Sequence, residues 1–581
     1  MSKTKEIEKY ELEKPNPIKG YPELYWRGKR PFTSTQYYPA QLKERYGEED
    51  EDGWMNKIFW GDNLQVMSHL MKDYKCKIDL VYIDPPFDSK ADYKKKIKFK
   101  GKKLSSDINS FEEKQYTDIW VNDEYLQFIY ERLILIKELL SDTGSVYIHC
   151  DWHKSHYIRC IMDSIFGPDN FINEIVWSYK SGGTSDKYFA RKHDNILIYS
   201  KSKNYKINIP KEKSYNRGLK PYRFKGVEEF EDEIGWYTLV NMKDVWEIDM
   251  VGRSSSERLN YPTQKPEKLI ERIIESSSKP GDIVFDCFMG SGTTQAVAMK
   301  LNRRFIGSDI NSGSIDITTR RLVHLYEELK LIDKETEGFE VYNVNNYDIF
   351  RNPTEAKELL IKALGIHTLG KQYIYDGELD GRMVKIMPVN RITTKADLGE
   401  LIVGLPYKIF EIREKEYENK AVEKITLICM GHEPDLKAYL QSQVDYKLDI
   451  EIVDILRDKA DIQFKRESEA DIIIEDETLI INKFYPKNLL QKMSLLEDDD
   501  IEDWKELVES IIIDFNYDGA VMEPSIIDVP NKNELVKGEY KIPEYAATIK
   551  VKITDVLSET FEWEGAYEYG KSSGIESVCS I

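Results

Sequence analysis

Apolar residues along the chain fall into two rhythms. The short runs Ile78-Asp79-Leu80-Val81-Tyr82-Ile83 and Asp282-Ile283-Val284-Phe285 read as buried strands, and an aspartate follows each at once. Elsewhere the spacing is helical. Leu126, Ile129, Leu133, Ile136 and Leu140 share one face of a helix over 123–140, with Asp123 as its N-cap and Gly144 just beyond its end. Ser145-Val146-Tyr147-Ile148-His149 reads as a strand, 154–166 as a helix stopped at Gly167-Pro168, and Asn195-Ile196-Leu197-Ile198-Tyr199 as a further strand. A helix over 267–276 follows a proline, a helix over 292–300 follows a glycine turn, and 304–308 is a strand. Strands alternating with helices predict an α/β fold with a doubly wound, mostly parallel sheet covered on both faces.

The flanks depart from this rhythm. Residues 1–55 are rich in Pro, Tyr and charge without clear periodicity, and read as an N-terminal arm. Residues 201–258 are polar, basic and aromatic with few regular elements. Past about residue 330 the texture changes again. Ile472-Ile473-Ile474 and Leu479-Ile480-Ile481 flank Glu475-Asp476-Glu477-Thr478 as a hairpin, and 548–554 reads as an edge strand with Lys550 and Lys552 on one side. The expected organisation is an arm over 1–55, a main domain over 56–330 with an insertion at 201–258, and a C-terminal α+β accessory domain over 331–581. At 581 residues the chain is too long for one core. No stretch approaches the roughly 20 apolar residues of a membrane span, and the N-terminus has no apolar signal segment. Cys76, Cys150, Cys160, Cys287, Cys429 and Cys579 lack paired spacing, as expected of a cytoplasmic chain in a reducing compartment.

The net charge of −20 looks wrong for a partner of nucleic acid until it is divided: residues 1–330 carry +2 and residues 331–581 carry −22. The first part also holds cationic runs. Lys90, Lys94, Lys95, Lys96, Lys98, Lys100, Lys102 and Lys103 are opposed by Asp92 alone, and Lys201, Lys203, Lys206, Lys211, Lys213, Arg217 and Lys220 form a second run. Such runs can neutralise phosphates and release counterions; a solvated loop explains each run equally well.

Three segments carry chemistry. In Asp84-Pro85-Pro86-Phe87 a carboxylate oxygen and the Pro85 carbonyl can take the two hydrogens of an exocyclic amine, favouring a tetrahedral nitrogen whose lone pair points at a methyl donor. The prolines fix φ and hold that carbonyl, and Phe87 can stack on a base rotated out of a duplex. A strand-ending turn explains the tetrapeptide as well. In Asp286-Cys287-Phe288-Met289-Gly290-Ser291-Gly292-Thr293-Thr294 a Gly-x-Gly turn lets backbone approach a nucleoside at a helix N-terminus. Phe305-Ile306-Gly307-Ser308-Asp309 ends a strand on an acid suited to ribose hydroxyls, or to a surface turn. In Tyr261-Pro262-Thr263-Gln264-Lys265-Pro266, Thr263 is placed to cap the helix that starts at Pro266.

Taken together and in this order, these segments resemble the beta class of DNA amino-methyltransferases, in which the catalytic segment precedes the cofactor segment. Trp60-Gly61-Asp62-Asn63-Leu64, Tyr116-Thr117-Asp118-Ile119-Trp120, Phe171-Ile172-Asn173-Glu174-Ile175-Val176-Trp177 and His193-Asp194-Asn195-Ile196-Leu197 add to the match, which covers roughly residues 57–325. In size and layout the chain is similar to the modification subunits of type III restriction systems. The resemblance implies a Rossmann-like methyltransferase domain and S-adenosyl-L-methionine as cofactor. It implies that Asp84, Pro85, Pro86 and Phe87 hold the target base. It places Asp286, Phe288, Gly290, Ser291, Gly292, Thr293, Asp309, Thr263 and Lys265 around the cofactor. Phe87-Asp88-Ser89 departs from the pattern, because many relatives carry an amide after the aromatic. Lys94, Lys95, Lys96, Arg217, Lys220, Arg223 and Arg253 are the expected DNA contacts, the last four in the insertion where this class reads its target. An acid heading the catalytic segment leans toward N6 of adenine, since cytosine N4 enzymes more often carry serine. The alternatives are cytosine N4 methylation and a non-catalytic DNA-binding or assembly subunit on the same scaffold.

Duplex DNA is the implied substrate, in a restriction-modification or phage-defence system. The chain has no Gly-x-x-x-x-Gly-Lys-Ser/Thr triphosphate loop, so ATP-driven restriction needs a nuclease or helicase partner. The acidic C-terminal region is suited to docking another protein or a second copy of the chain. His149, Asp151, His153 and His156 fit no zinc spacing, so no metal is expected. Cys287 has no neighbouring base to make it a nucleophile.

Overall fold

The computed structural model describes residues 9–86 (except 16–17), 96–99, 102–105 and 122–344 (except 181–183, 253–254, 260, 262 and 335). It further describes Lys357, Ile361, residues 366–454 (except 370–373, 380, 389–392, 394, 417–419 and 430–435) and 468–567 (except 476, 488, 491–502, 531–533 and 557–558). The chain forms two compact units, one of residues 1–345 with 468–581 and one of residues 346–467.

The first unit is built on a ten-stranded sheet. In chain order its strands are β1 (Ala40–Tyr46), β2 (Asn56–Trp60), β3 (Ile78–Ile83), β4 (Leu140–Cys150), β5 (Phe171–Ser178), β6 (His193–Ser200), β7 (Val245–Glu247), β8 (Ile283–Asp286), β9 (Arg304–Asp309) and β10 (Phe339–Val344). They lie side by side as β7-β5-β6-β4-β3-β8-β9-β2-β10-β1. The pairings from β4 through β3, β8, β9 and β2 to β10 are all parallel, whereas β6 pairs antiparallel with both β4 and β5, and β1 with β10. From β3 the chain winds toward β4, and from β8 it winds the other way toward β9. The order therefore reverses between β3 and β8, and a crevice opens beyond the carboxyl ends of strands at such a point.

Helices cover both faces. On one lie α1 (Asn63–Tyr74), α2 (Asn122–Leu139) and α3 (Ser155–Phe166); on the other lie α4 (Glu267–Ser277), α5 (Thr293–Lys300) and α6 (Ser312–Leu331). The amphipathic spacing decides which side each helix turns inward. In α4, Leu269, Ile270, Ile273 and Ile274 are fully buried.

Several expectations are corrected. Helix α2 begins at Asn122, so Asp123 lies inside its first turn rather than capping it. Strand β4 starts directly after α2, and Gly144 lies within that strand. A Cβ on Gly144 would stand 2.9 Å from the Ile78 carbonyl, so the glycine serves the close approach of β4 to β3 and not a helix end. The arm is partly regular: β1 forms an edge of the sheet, and Leu12 and Trp26 enter the core. The insertion at 201–258 holds a three-stranded antiparallel sheet of Lys211–Tyr215, Trp236–Asn241 and Phe230–Glu231, and β7 joins the main sheet. Thr548–Asp555 is an interior strand, paired with both Val508–Asp514 and Thr560–Ala566. The lysines that suggested an edge answer acids nearby. Lys550 pairs with Glu562 at 2.9 Å and Glu564 at 3.0 Å, and Lys552 reaches Glu44 at 2.5 Å.

Residues 331–581 are not one domain: residues 331–345 end the first stretch of the main unit and supply β10 to its sheet, and the rest divides in two. The second unit, residues 346–467, carries a five-stranded sheet of His367–Thr368, Gly377–Leu379, Arg382–Ile386, Glu423–Cys429 and Leu448–Asp454, whereas residues 468–581 group with the main sheet. The expected hairpin is present as Glu469–Glu475 with Thr478–Tyr485.

Charge anchors residues 468–581 to that sheet. Arg320 on α6 pairs with Asp316 at 3.0 Å and Glu509 at 2.6 Å, while Glu44 takes Lys552 and the Tyr46 hydroxyl at 2.7 Å. Burial works to raise the Glu44 carboxyl, but Lys552 outweighs it and the net shift is downward. Removing one member of such a pair leaves the other charge buried. Lys552→Ala is expected to lower stability by about 3 kcal/mol in a denaturant titration at pH 7, and Glu44→Gln with Lys552→Met to regain most of that loss.

Candidate active-site cleft

Four parallel strands deliver acids or polar turns to one edge of the sheet. Asp84 follows β3, Asp286 ends β8, Asp309 ends β9, and Gly61-Asp62 follows β2. Asp84 is largely enclosed, and Pro85 behind it is buried. Its Oδ2 accepts a hydrogen bond from the Lys265 ammonium. Its Oδ1 is buried with no hydrogen-bond partner among the described residues. A buried acceptor left without a donor is destabilising by about 1–3 kcal/mol, so the arrangement needs a reason.

Lys265 ties this carboxylate to the glycine turn, because its carbonyl accepts from Thr293 Oγ1 at 3.4 Å. The turn is gripped on several sides. The Phe288 N–H donates to Asp286 Oδ1 at 2.9 Å, and the Thr294 hydroxyl to Asp286 Oδ2 at 2.6 Å. The Gly290 N–H donates to Asp309 Oδ2 at 2.9 Å, and Thr318 Oγ1 donates to the Gly290 carbonyl at 3.1 Å. Arg321 on α6 donates to the Ser291 carbonyl and to Thr293 Oγ1, both at 3.0 Å, and to Glu267 Oε1 at 2.7 Å. Gly290 and Gly292 have φ of +51° and +70°, a region that a side chain resists. Across the cleft mouth, Asn63 Nδ2 donates to the Cys287 carbonyl at 3.2 Å, and Arg132 donates to Asn63 Oδ1 at 2.6 Å and Asp62 Oδ2 at 3.0 Å. The Arg132 guanidinium lies 3.4 Å from the centre of the Phe128 ring, which in turn faces Phe288.

Behind Asp84, the Tyr82 hydroxyl meets His149 Nδ1 at 3.1 Å, and His149 Nε2 meets Asp194 Oδ2 at 3.2 Å. Burial tends to raise the Asp194 carboxyl; the His149 hydrogen bond and the charges of His149 and Lys265 overcome it, and the acid lies below its ordinary range. His153 is bonded to its own acid, Asp151. Burial pushes the Cys287 thiol well up.

Asp286 shifts in the direction opposite to Asp194. Burial lifts its carboxyl to about 7 against the pull of Thr294 and Phe288, with Asp84 and Asp309 adding to the rise. Between about pH 4, where an unfolded aspartate ionises, and about pH 7, the folded chain keeps a proton that the unfolded chain has released. Stability contributed by this group is therefore full at low pH and falls as pH rises through that window, by about 4 kcal/mol at the limit. An asparagine keeps both hydrogen bonds, accepting from Phe288 and donating to Thr294, without the ionisation. In urea melts Asp286→Asn is expected to match the parent near pH 4 and to exceed it by about 2–4 kcal/mol at pH 7.5; an advantage that stays constant with pH would contradict the shift.

The expected site residues meet in part. Asp84, Pro85 and Pro86 share the cleft edge with Asp286, Phe288, Gly290, Gly292 and Asp309. Phe87, Lys94, Lys95 and Arg253 lie outside the described residues, and Lys96 is described only as part of the strand Lys96–Phe99. Ser291 and Thr293 are buried, with Thr293 Oγ1 engaged by Arg321, so they contribute through the turn's backbone. Thr263 does not cap α4: that helix starts at Glu267, and the Glu267 N–H donates to Glu257 Oε2 at 3.0 Å. Thr263 stands four residues ahead of Glu267, too far back for its hydroxyl to reach the first free N–H groups. Lys265, expected at the cofactor, sets its ammonium on Asp84. Arg217, Lys220 and Arg223 are exposed on a turn that Glu229 organises by accepting the Tyr222 and Arg223 N–H groups at 2.8 Å and 2.7 Å. Sequence reasoning missed Arg132, Arg321, Thr318, His149 and Asp194 as parts of the site. The only signal for Arg132 and Arg321 was a cation beside apolar positions of a helix, Arg321 being the second of the pair Arg320-Arg321.

A DNA methylase family model matches residues 78–320. The DNA adenine methyltransferase YhdJ of Escherichia coli (strain K12) is 30% identical over 305 residues, which cover 51% of this chain and 91% of that protein. The type II methyltransferase M.EcaI of Enterobacter cloacae is 30% identical over 314 residues, 44% of this chain and 66% of its own length. The type III restriction-modification enzyme EcoP15I Mod subunit of Escherichia coli is 28% identical over 179 residues, 29% of this chain and 28% of that subunit.

Proposed function

Since the chain belongs to the DNA methylase family, we propose that it moves a methyl group from S-adenosyl-L-methionine to the exocyclic N6 amine of adenine in duplex DNA, at a base rotated out of the helix. The observation that carries this reading is Asp84, with one carboxylate oxygen pinned by Lys265 and the other buried without a donor among the described residues, in the same crevice as the glycine turn. The unpartnered Oδ1 takes one amine hydrogen, and the Pro85 carbonyl takes the other. Lys265 keeps the carboxylate from rotating and balances its charge. Both acceptors draw the nitrogen lone pair out of the ring, which is what N6 needs to act as a nucleophile. Phe87 stacks on the base.

The glycine turn fits the cofactor by its shape. A Cβ on Gly290 would meet the Tyr261 ring at 3.3 Å, and one on Gly292 would meet Thr318 Cγ2 at 2.4 Å, so bare backbone lines this part of the cleft. Gly290, Ser291, Gly292 and Phe288 hold the cofactor, and Asp286 and Asp309 fix the turn from beneath. The bound cofactor supplies an electrophilic methyl group on a sulfonium.

Exposed Arg217, Lys220 and Arg223 meet phosphates or base edges of the target. The similarity to a type III Mod subunit supports a restriction subunit as partner. No described helix is long and apolar enough to cross a membrane, and a DNA substrate suits a cytoplasmic chain. The test is a whole-genome map of modified bases in a host expressing the chain. N6-methyladenine at one recurring sequence supports the reading. N4-methylcytosine overturns the choice of base, and no modified base with a folded protein overturns the activity.

A further inference from the structure

Asp84 keeps only 17% of its side-chain exposure, so the amine of a base still stacked in a duplex does not reach it. On the function proposed above, the target nucleotide leaves the helix and a gap opens opposite its abandoned partner. The rim beside Asp84 carries side chains suited to that gap. Strands β3 and β4 are parallel neighbours with Ile83 opposite Ile148, so residues just past Cys150 flank the Asp84-Pro85 lip. Strand β6 runs antiparallel to β4 with Asn195 opposite Cys150, so residues just before His193 join the same rim.

There Trp152 and Tyr188 are exposed by 41% and 56%, and the Arg191 guanidinium lies over both rings, 3.7 Å and 4.7 Å from their centres. Phe189, next to Tyr188, is 99% exposed. A phenylalanine left wholly in water adds no burial to the fold, and a partner that covers it gains the free energy of that burial. Its surroundings favour a polyanion: Lys180, Lys187, Arg191 and Lys192 stand against Asp186 alone between residues 179 and 192.

We propose that Phe189, set beside the Trp152–Arg191–Tyr188 stack, enters the duplex and fills the space left by the rotated target base. Wedges of this kind stack on the flanking bases, and their exposed rings are sequence-tolerant because every base has a face. The inference rests on the methyl transfer proposed above, and the experiment separates the two. Oligonucleotide duplexes carrying the mapped target sequence are prepared in two forms, one fully paired and one with the target base opposite an abasic site. Phe189→Ala is expected to bind S-adenosyl-L-methionine as the parent does and to methylate the paired duplex at least tenfold more slowly. On the abasic duplex, where the wedge has little left to do, it is expected to return to within threefold of the parent. Phe189→Trp is expected to act on both duplexes. Equal losses on both would make Phe189 an ordinary surface contact to DNA, and no loss on either would point to a protein as its cover; both overturn the wedge. A parent protein that methylates neither duplex would overturn the proposed activity itself.

Discussion

Asp84→Ala is expected to lower the single-turnover rate of methyl transfer by about 1000-fold or more while cofactor affinity stays within about threefold. The variant removes the Oδ1 that takes the amine hydrogen, and it also takes the carboxylate away from the Lys265 ammonium. A thousandfold corresponds to about 4 kcal/mol of transition-state stabilisation, in the range found when one preorganised partner is removed from a water-poor site. Asp84→Asn keeps an acceptor but turns an amide N–H toward either Lys265 or the substrate amine, and a loss of about 100-fold is expected. Stopped-flow or quenched single turnovers with saturating cofactor measure both. Cofactor affinity that collapsed with Asp84→Ala would mean that the acid belongs to the other half of the cleft.

The second large effect is expected at Gly292. Its φ of +70° is disfavoured by about 1–2 kcal/mol for any side chain, and most for a β-branched one. A Cβ there would also stand 2.4 Å from Thr318 Cγ2 and 2.7 Å from Thr318 Oγ1. Thr318 cannot simply retreat, because its hydroxyl donates to the Gly290 carbonyl and so shapes the turn. Gly292→Val is expected to weaken cofactor binding by about 100-fold or more in calorimetry, with far-UV circular dichroism unchanged, since the substitution strikes a turn and not the sheet. Gly292→Ala is expected to be milder, and Thr318→Ala in the same chain to recover part of its loss by removing the clash but not the backbone strain. Unchanged binding by Gly292→Val would show that the turn does not form the pocket.

The core of the fold was legible because its signals are local. The runs before Asp84 and Asp286 are apolar save for Asp79 and Asp282 near their starts, as strands buried on both faces require, and the Gly-x-Gly turn between β8 and α5 stands at a strand end before a helix. What the sequence concealed depends on partners far along the chain. Ala40–Tyr46 is half polar and becomes a strand only because Phe339–Val344 offers it an edge. Lys550 and Lys552 carry the mark of an edge strand, and their true explanation, Glu562, Glu564 and Glu44, lies on other strands. The cap of α4 comes from Glu257, whose carbonyl accepts from Gln264 Nε2 and whose carboxylate accepts the Glu267 N–H; the nearer Thr263 looked the better cap by type but not by distance. At the site, Asp84 and the glycines were visible as a motif. The hold on them was not: Arg321 and Thr318 belong to a helix whose sequence reads as ordinary, and Lys265 points at the acid rather than at the turn beside it.

The account stands or falls on Asp84 and the glycine turn serving one transfer. The most direct test incubates purified chain with S-adenosyl-L-methionine labelled on its methyl group and with duplex DNA carrying the mapped sequence, then digests the DNA to nucleosides. The expected result is label in N6-methyldeoxyadenosine alone, and none with Asp84→Ala protein that still binds the cofactor. Label in N4-methyldeoxycytidine, in RNA or in protein, or undiminished labelling by Asp84→Ala, would contradict it.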